Sequence, residues 1–247
     1  MAAIELSHVS KRFGEKIAVN DLSLTIEAGA FVGLLGRNGA GKSTTLKMLT
    51  GLLAPTSGSI RLLDMDFDSN ALAIKRRIGV MPEDMALLDM LTGPQYLRFV
   101  GRMYGLEDDV IDSRRTELFE KLDLAAGGRQ VIADYSFGMK KKVALSAAIL
   151  HSPDVLFLDE PFEGIDPVTS RTIKDILGAL RRRGTTILLT SHILEIVEKL
   201  CEEIAILEKG ALLGRGTLEE LRKGASLEAA FVELVGGARG GELSWLP

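Results

Sequence analysis

Apolar runs of five to seven residues, broken by turn formers, open the chain. AIELSHV (residues 3–9), LSLTI (22–26) and FVGLLG (31–36) are rich in aliphatic and β-branched side chains, with Gly, Asn and Asp between them. Two further strand-like runs follow at GSIRLLDMD (58–66) and RIGVMP (77–82), the first entered through a Pro-Thr-Ser-Gly turn. The first third is therefore expected to be sheet-rich. From about Thr92 to Leu150 the periodicity becomes helical, with amphipathic stretches around YLRFVGRMYG, VIDSRRTELFEKL and MKKKVALSAAIL. That block reads as a helical lobe inserted into the fold at about 87–152. Strands then resume at VLFLDE (155–160), TTILLTS (185–191) and EIAIL (203–207), alternating with helices as in a parallel α/β sheet. Ile173, Ile176, Leu177 and Leu180 fall on one helix face, and Asp166-Pro167 supplies an N-cap and a first-turn proline. SLEAAFVELVGG (226–237) reads as a last helix, before a Gly-rich tail expected to fray.

Length and charge narrow the class. A chain of 247 residues can bury a full core, so it needs no crosslinks. The single Cys201 excludes an internal disulfide and a cysteine zinc site, and it reads as a small core residue on an apolar helix face. No apolar run approaches the roughly 20 residues needed to cross a bilayer, and MAAIELSHVS lacks the charged and apolar regions of a secretory signal. A net charge of -4 argues against a general nucleic-acid surface. The basic clusters Lys140–Lys142, Arg181–Arg183 and Arg114-Arg115 read as solvated helix faces.

The chemistry is concentrated in GRNGAGKS, residues 36–43, directly after the FVGLL run. Gly36, Gly39 and Gly41 allow positive φ and a close approach of backbone N–H groups to an anion, with Asn38 and Ala40 between them. Lys42 adds a charge for the outer phosphates, Ser43 is the residue such loops use to hold Mg²⁺, and Thr44 offers a hydroxyl to an inner phosphate. The loop feeds a helix whose positive N-terminus faces the same place. A bound nucleoside triphosphate is implied. VLFLDE ends in two acids at the carboxyl edge of the sheet, where α/β ligands sit. Asp159 suits Mg²⁺ held through its water shell, and Glu160 can polarise a water against the γ-phosphate. Ser136 and Gly138, in YSFGMKKK, open a second helix; the serine is either a simple N-cap or part of a further anion site.

The position of YSFGMKKK shortly before VLFLDE resembles the ATP-binding cassette (ABC) ATPases, over roughly residues 4–222. Tyr135, Ser136, Phe137, Gly138 and Met139 stand where that family usually reads LSGGQ, so Phe137 and Met139 depart from it, in the style of bacterial export systems. The resemblance implies an α/β phosphate-loop NTPase core with a mostly parallel sheet, an antiparallel β subdomain and the inserted helical lobe. It places the ATPase domain at 1–223 and a C-terminal helix and tail at 224–247. It further implies Mg²⁺-dependent ATP hydrolysis by paired cassettes, homodimeric or heterodimeric, with the signature of one closing over the ATP of the other. An integral-membrane permease is the implied partner, at the cytoplasmic face of the inner membrane, with no nucleic acid bound. By the same resemblance, Phe13 stacks on adenine, or else is an ordinary apolar end of an edge strand. His192 contacts the γ-phosphate, and Asp166 couples the two sites, caps its helix, or does both. Glu83 stands where the family has Gln, as a ligand of Mg²⁺ or its water; Arg37 replaces a frequent Pro and either covers the phosphates or faces solvent. The alternative is a soluble cassette ATPase of DNA repair or ribosomes, which usually carries two cassettes or a long coiled coil, neither found here.

Overall fold

The computed structural model describes residues 1–124, 128–222, 224 and 226–236, so the expected Gly-rich tail lies outside the described residues from 237 onward. Strands β1 (Ala2–Phe13) and β2 (Lys16–Glu27) form a long hairpin, followed by β3 (Phe31–Gly36) and helix α1 (Lys42–Leu49). Next come β4 (Ser57–Leu62), β5 (Met65–Asp66), α2 (Phe67–Lys75) and β6 (Ile78–Met81). Three helices then succeed one another: α3 (Gly93–Met103), α4 (Asp108–Lys121) and α5 (Phe137–Ile149). The chain continues through β7 (Val155–Asp159), α6 (Pro167–Arg182), β8 (Thr186–Ser191), α7 (Leu194–Leu200), β9 (Glu203–Glu208) and β10 (Ala211–Thr217), and α8 (Leu218–Arg222) and α9 (Leu227–Leu234) follow.

Two sheets result. One is antiparallel, in the order β2-β1-β4-β5; the other has the order β10-β9-β3-β8-β7-β6 and is parallel except at the β10 edge. The central strands β3, β7 and β8 are buried at every position, as strands covered on both faces must be. Their side chains sort by parity into two cores. Phe31, Leu35, Leu156, Leu158, Ile187 and Leu189 pack with the helical lobe, α6 and α7. Val32, Leu34, Val155, Phe157 and Leu188 face the other way, onto α1, α2 and the antiparallel sheet. The antiparallel sheet thus closes one face of the parallel one, and the phosphate loop emerges between them.

Local signals account for several helix starts. Thr92 and Gln95 form a reciprocal capping box at α3, and Asp166 accepts from the N–H groups of Val168 and Thr169 at α6. Cys201 is buried and free just past the end of α7, where burial raises its thiol pKa.

Two readings of the lobe need correction. MKKKVALSAAIL is not amphipathic: α5 buries every residue from Val143 to Ile149, because the sheet at β6 lies on one side of it and α3 on another. For the same reason Lys141 is not on a solvated face; it is 1% exposed. The middle of the Lys140–Lys142 run points inward while its neighbours stay partly exposed.

His151 follows α5 and stacks on Tyr104, with ring centroids 3.6 Å apart and planes 9° from parallel. Its Nε2 lies 3.0 Å from the Ile78 carbonyl, which only accepts, so Nε2 carries the proton. Nδ1 is buried without a hydrogen-bond partner, and burial lowers the imidazole pKa from 6.5 to about 4. The unfolded chain therefore takes up a proton that the folded chain refuses. Stability from this group is complete above pH 6.5 and is lost as pH falls towards 4. Urea unfolding of wild type and His151→Gln at pH 7 and pH 5 should differ in pH dependence by about 1 kcal/mol, after allowance for the ring's partial exposure. Equal pH slopes for the two proteins would contradict a neutral buried His151.

Candidate functional site

β3 delivers the loop, and its last residue must be glycine. A Cβ on Gly36 would stand 2.5 Å from the Leu207 carbonyl oxygen of the neighbouring strand and 2.8 Å from the Ala40 Cβ. Gly41 has φ +106, and a Cβ there would meet the Ala18 carbonyl oxygen at 2.6 Å. α1 then starts with no side-chain cap and no acid in its first turn, so no side chain competes with an anion for its N-terminus.

Around this loop lies a cavity of about 380 Å³, lined by residues 38–44 together with Lys16, Ala18, Glu83, Glu160, Glu163 and His192. Lys42 is 6% exposed; its Nζ donates to the Gly36 carbonyl at 2.8 Å and lies 3.8 Å from Glu160 Oε1. The hydroxyl of Ser43 stands 3.3 Å from Asp159 Oδ1 and 3.4 Å from Glu83 Oε2. These three groups present only oxygen atoms, the donor set a hard divalent cation such as Mg²⁺ requires, and they adjoin the phosphate loop. Asp159 is held in turn by the Thr190 hydroxyl, which donates to it at 2.5 Å. The parallel register sets Asp159 opposite Thr190.

Glu160 ends β7 by adopting φ +47, a conformation that costs a non-glycine residue about 1 kcal/mol and turns its side chain out of the pleat. Its backbone N–H donates to Thr190 Oγ1 at 3.0 Å, and its carbonyl accepts from Lys141 Nζ at 2.6 Å. The carboxylate is buried, yet it faces the cavity and lies 3.0 Å from His192 Nδ1. Lys42, Glu160 and His192 thus form a connected set at the end of the phosphate loop.

The remaining expected residues lie elsewhere. Arg37 is exposed and does not line the cavity. Phe13 is 49% exposed at the end of β1, under the Lys11 ammonium, and its cross-strand partner Lys16 lines the cavity in its place. Ser136 caps α5 by accepting from the Met139 N–H, and neither it nor Gly138 reaches the cavity of its own chain. Asp166 caps α6, and hydrogen bonds led by that from Thr169 hold its carboxyl below the usual range. Lys16, Glu163, Thr190 and Lys141 are the additions that the sequence reading missed. Thr190 alone carried a signal, as a polar residue in the apolar TTILLTS run beside VLFLDE.

Comparison with known proteins agrees with this geometry. Residues 19–163 match the ABC transporter family. The ABC transporter ATP-binding protein NatA of Bacillus subtilis is 38% identical over 223 residues, covering 88% of this chain and 91% of that one. The Nod factor export ATP-binding protein I of Burkholderia lata is 39% identical over 216 residues, covering 87% and 71% of the two chains. A solved ATP-binding subunit of an ABC transporter superposes with a TM-score of 0.89 at 32% identity, over 94% of this chain and 99% of that one. Among the described residues no helix is long and apolar enough to cross a membrane. With the phosphate loop, Glu160 and His192 gathered at one cavity and Asp159 standing beside Ser43, the chain belongs to the ABC transporter family as an ATP-binding, ATP-hydrolysing subunit.

Proposed function

We propose that the chain is the cytoplasmic ATPase subunit of an exporter, working as one of two cassettes on a separate integral-membrane permease. The observation that carries this reading is the single cavity in which the phosphate loop faces Glu83, Glu160 and His192. The likeness to a Nod factor export protein supports the export direction.

Within one chain, Lys42 and the N–H groups of residues 38–44 bind the triphosphate, and Thr44 reaches an inner phosphate. Ser43, Asp159 and Glu83 would hold Mg²⁺, which when bound offsets negative charge on the outer phosphates. Glu160 takes a proton from the attacking water as the γ-phosphoryl group leaves. His192 holds the Glu160 carboxylate in line and contacts the γ-phosphate, while Phe13 stacks on the adenine. Arg37, on the exposed side of the loop, lies over the phosphates only when a second cassette closes on it.

Ser136 and Gly138 lie outside their own chain's cavity, which suits donors used by a second cassette. Closure of two chains head to tail brings these donors onto the γ-phosphate, expels water, and strengthens every charge interaction inside. Asp166 carries the contact between the two sites. Hydrolysis then separates the cassettes, and that motion drives the permease.

The test is affinity purification of the tagged chain from detergent-solubilised membranes. A companion with about six apolar spans, whose presence raises ATP turnover, is the expected result. Recovery with ribosomes or DNA and no membrane protein would favour the soluble cassette reading instead.

A further inference from the structure

Lys141 has no part in the mechanism above, yet it is among the largest fully buried side chains of the protein. Burial lowers its pKa, against the opposing pull of Glu163, Glu160, Glu83 and Asp159. With four carboxylates around it, its ammonium donates to a peptide carbonyl, that of Glu160, at 2.6 Å. Because Thr190 accepts from the N–H of the same residue, Glu160 is gripped at both backbone ends. That grip matters at a residue with φ +47, whose side-chain direction is fixed by a conformation it would not keep unaided.

Phe137 completes the arrangement. Its ring centroid is 5.0 Å from Lys141 Nζ, and it covers Gly164, where a Cβ would stand 2.8 Å from the ring. The ring of Phe137, one of the two residues that depart from the family's signature, therefore lies between the signature helix and the turn after Glu160. Ser136, Phe137 and Lys141 occupy the first two turns of one helix, so a displacement of its N-terminus is passed on without slack.

We propose that Lys141, covered by Phe137, is a positioning residue that ties the orientation of Glu160 to the placement of α5. Engagement of Ser136 and Gly138 with a second cassette's nucleotide is thereby relayed to the hydrolytic glutamate of the chain that supplies them. The inference rests on the paired-cassette reading given under Proposed function.

The test is steady-state ATP hydrolysis by the full chain, with nucleotide affinity measured in parallel. Lys141→Met should lower kcat by about 10-fold or more, the scale of a misplaced reacting group, with the ATP Kd unchanged within about 2-fold. Its dependence on ATP concentration should also lose cooperativity. Lys141→Arg, which restores a charged donor, should recover most of the turnover. Phe137→Ala, at a half-exposed position that folding tolerates, should lower kcat in the same sense and add nothing to Lys141→Met in the double variant. Wild-type kcat and cooperativity in Lys141→Met would overturn the proposal, as would no recovery with Arg. A fall in ATP affinity matching the fall in kcat would also overturn it. If Lys141→Met does not fold, Phe137→Ala decides alone, with unchanged kcat and cooperativity counting against the relay. Glu160→Gln is the control: if it keeps full turnover, the hydrolytic reading itself fails, whereas loss there with no effect at Lys141 removes only the relay.

Discussion

Glu160→Gln should slow ATP turnover by about 100-fold or more, the scale of lost general-base help, while the ATP Kd stays within about 2-fold of wild type. Glutamine keeps the size of the side chain and its reach towards His192, 3.0 Å from Glu160 Oε2, so the cavity wall is preserved. What disappears is a carboxylate that is buried, turned out of its strand and facing the cavity. Phosphate release and nucleotide titration measure the two quantities separately. Turnover near the wild-type rate would remove Glu160 from the chemistry, and a matching loss of affinity would make it a binding residue.

Lys42→Ala should fail at the opposite step. A charged donor facing phosphates contributes about 1.5–3 kcal/mol, so the ATP Kd should rise by roughly 10- to 150-fold. Lys42 is 6% exposed and lies 3.8 Å from Glu160 Oε1, so its loss also leaves a buried carboxylate without its cation. The free protein should therefore unfold at lower urea concentration than wild type. Displacement of a fluorescent nucleotide gives the Kd. Equal constants for variant and wild type would contradict the assigned role.

Much of this arrangement could be read from local chemistry. GRNGAGKS after an apolar strand, and VLFLDE ending in two acids, each declare an element and its end, and a parallel sheet brings such ends to one edge. The helix at 167–182 was legible because its cap, its proline and its apolar face agree. α2 was not read in advance: FDSNALAIK is short, has one fully buried residue, Ile74, and its Asp66 cap sits inside the run taken for a strand. β10 was missed because ALLGRGT carries two glycines and borders the sheet on one side only. Lys141 was misread for a different reason. A lysine between two lysines looks solvated, and only tertiary packing turned its ammonium to the Glu160 carbonyl. Sequence spacing cannot say which nucleotide a helix end will meet; only the family resemblance assigned Ser136 and Gly138 to a second cassette's ATP, and in the structure both lie away from their own chain's cavity.

Sedimentation velocity of Glu160→Gln at saturating ATP and Mg²⁺ reaches the central point most directly, because this variant should bind nucleotide and not discharge it. A species of twice the 26.7 kDa chain mass is expected with ATP, returning to single chains with ADP. Single chains alone at saturating ATP would contradict a nucleotide enclosed between two cassettes.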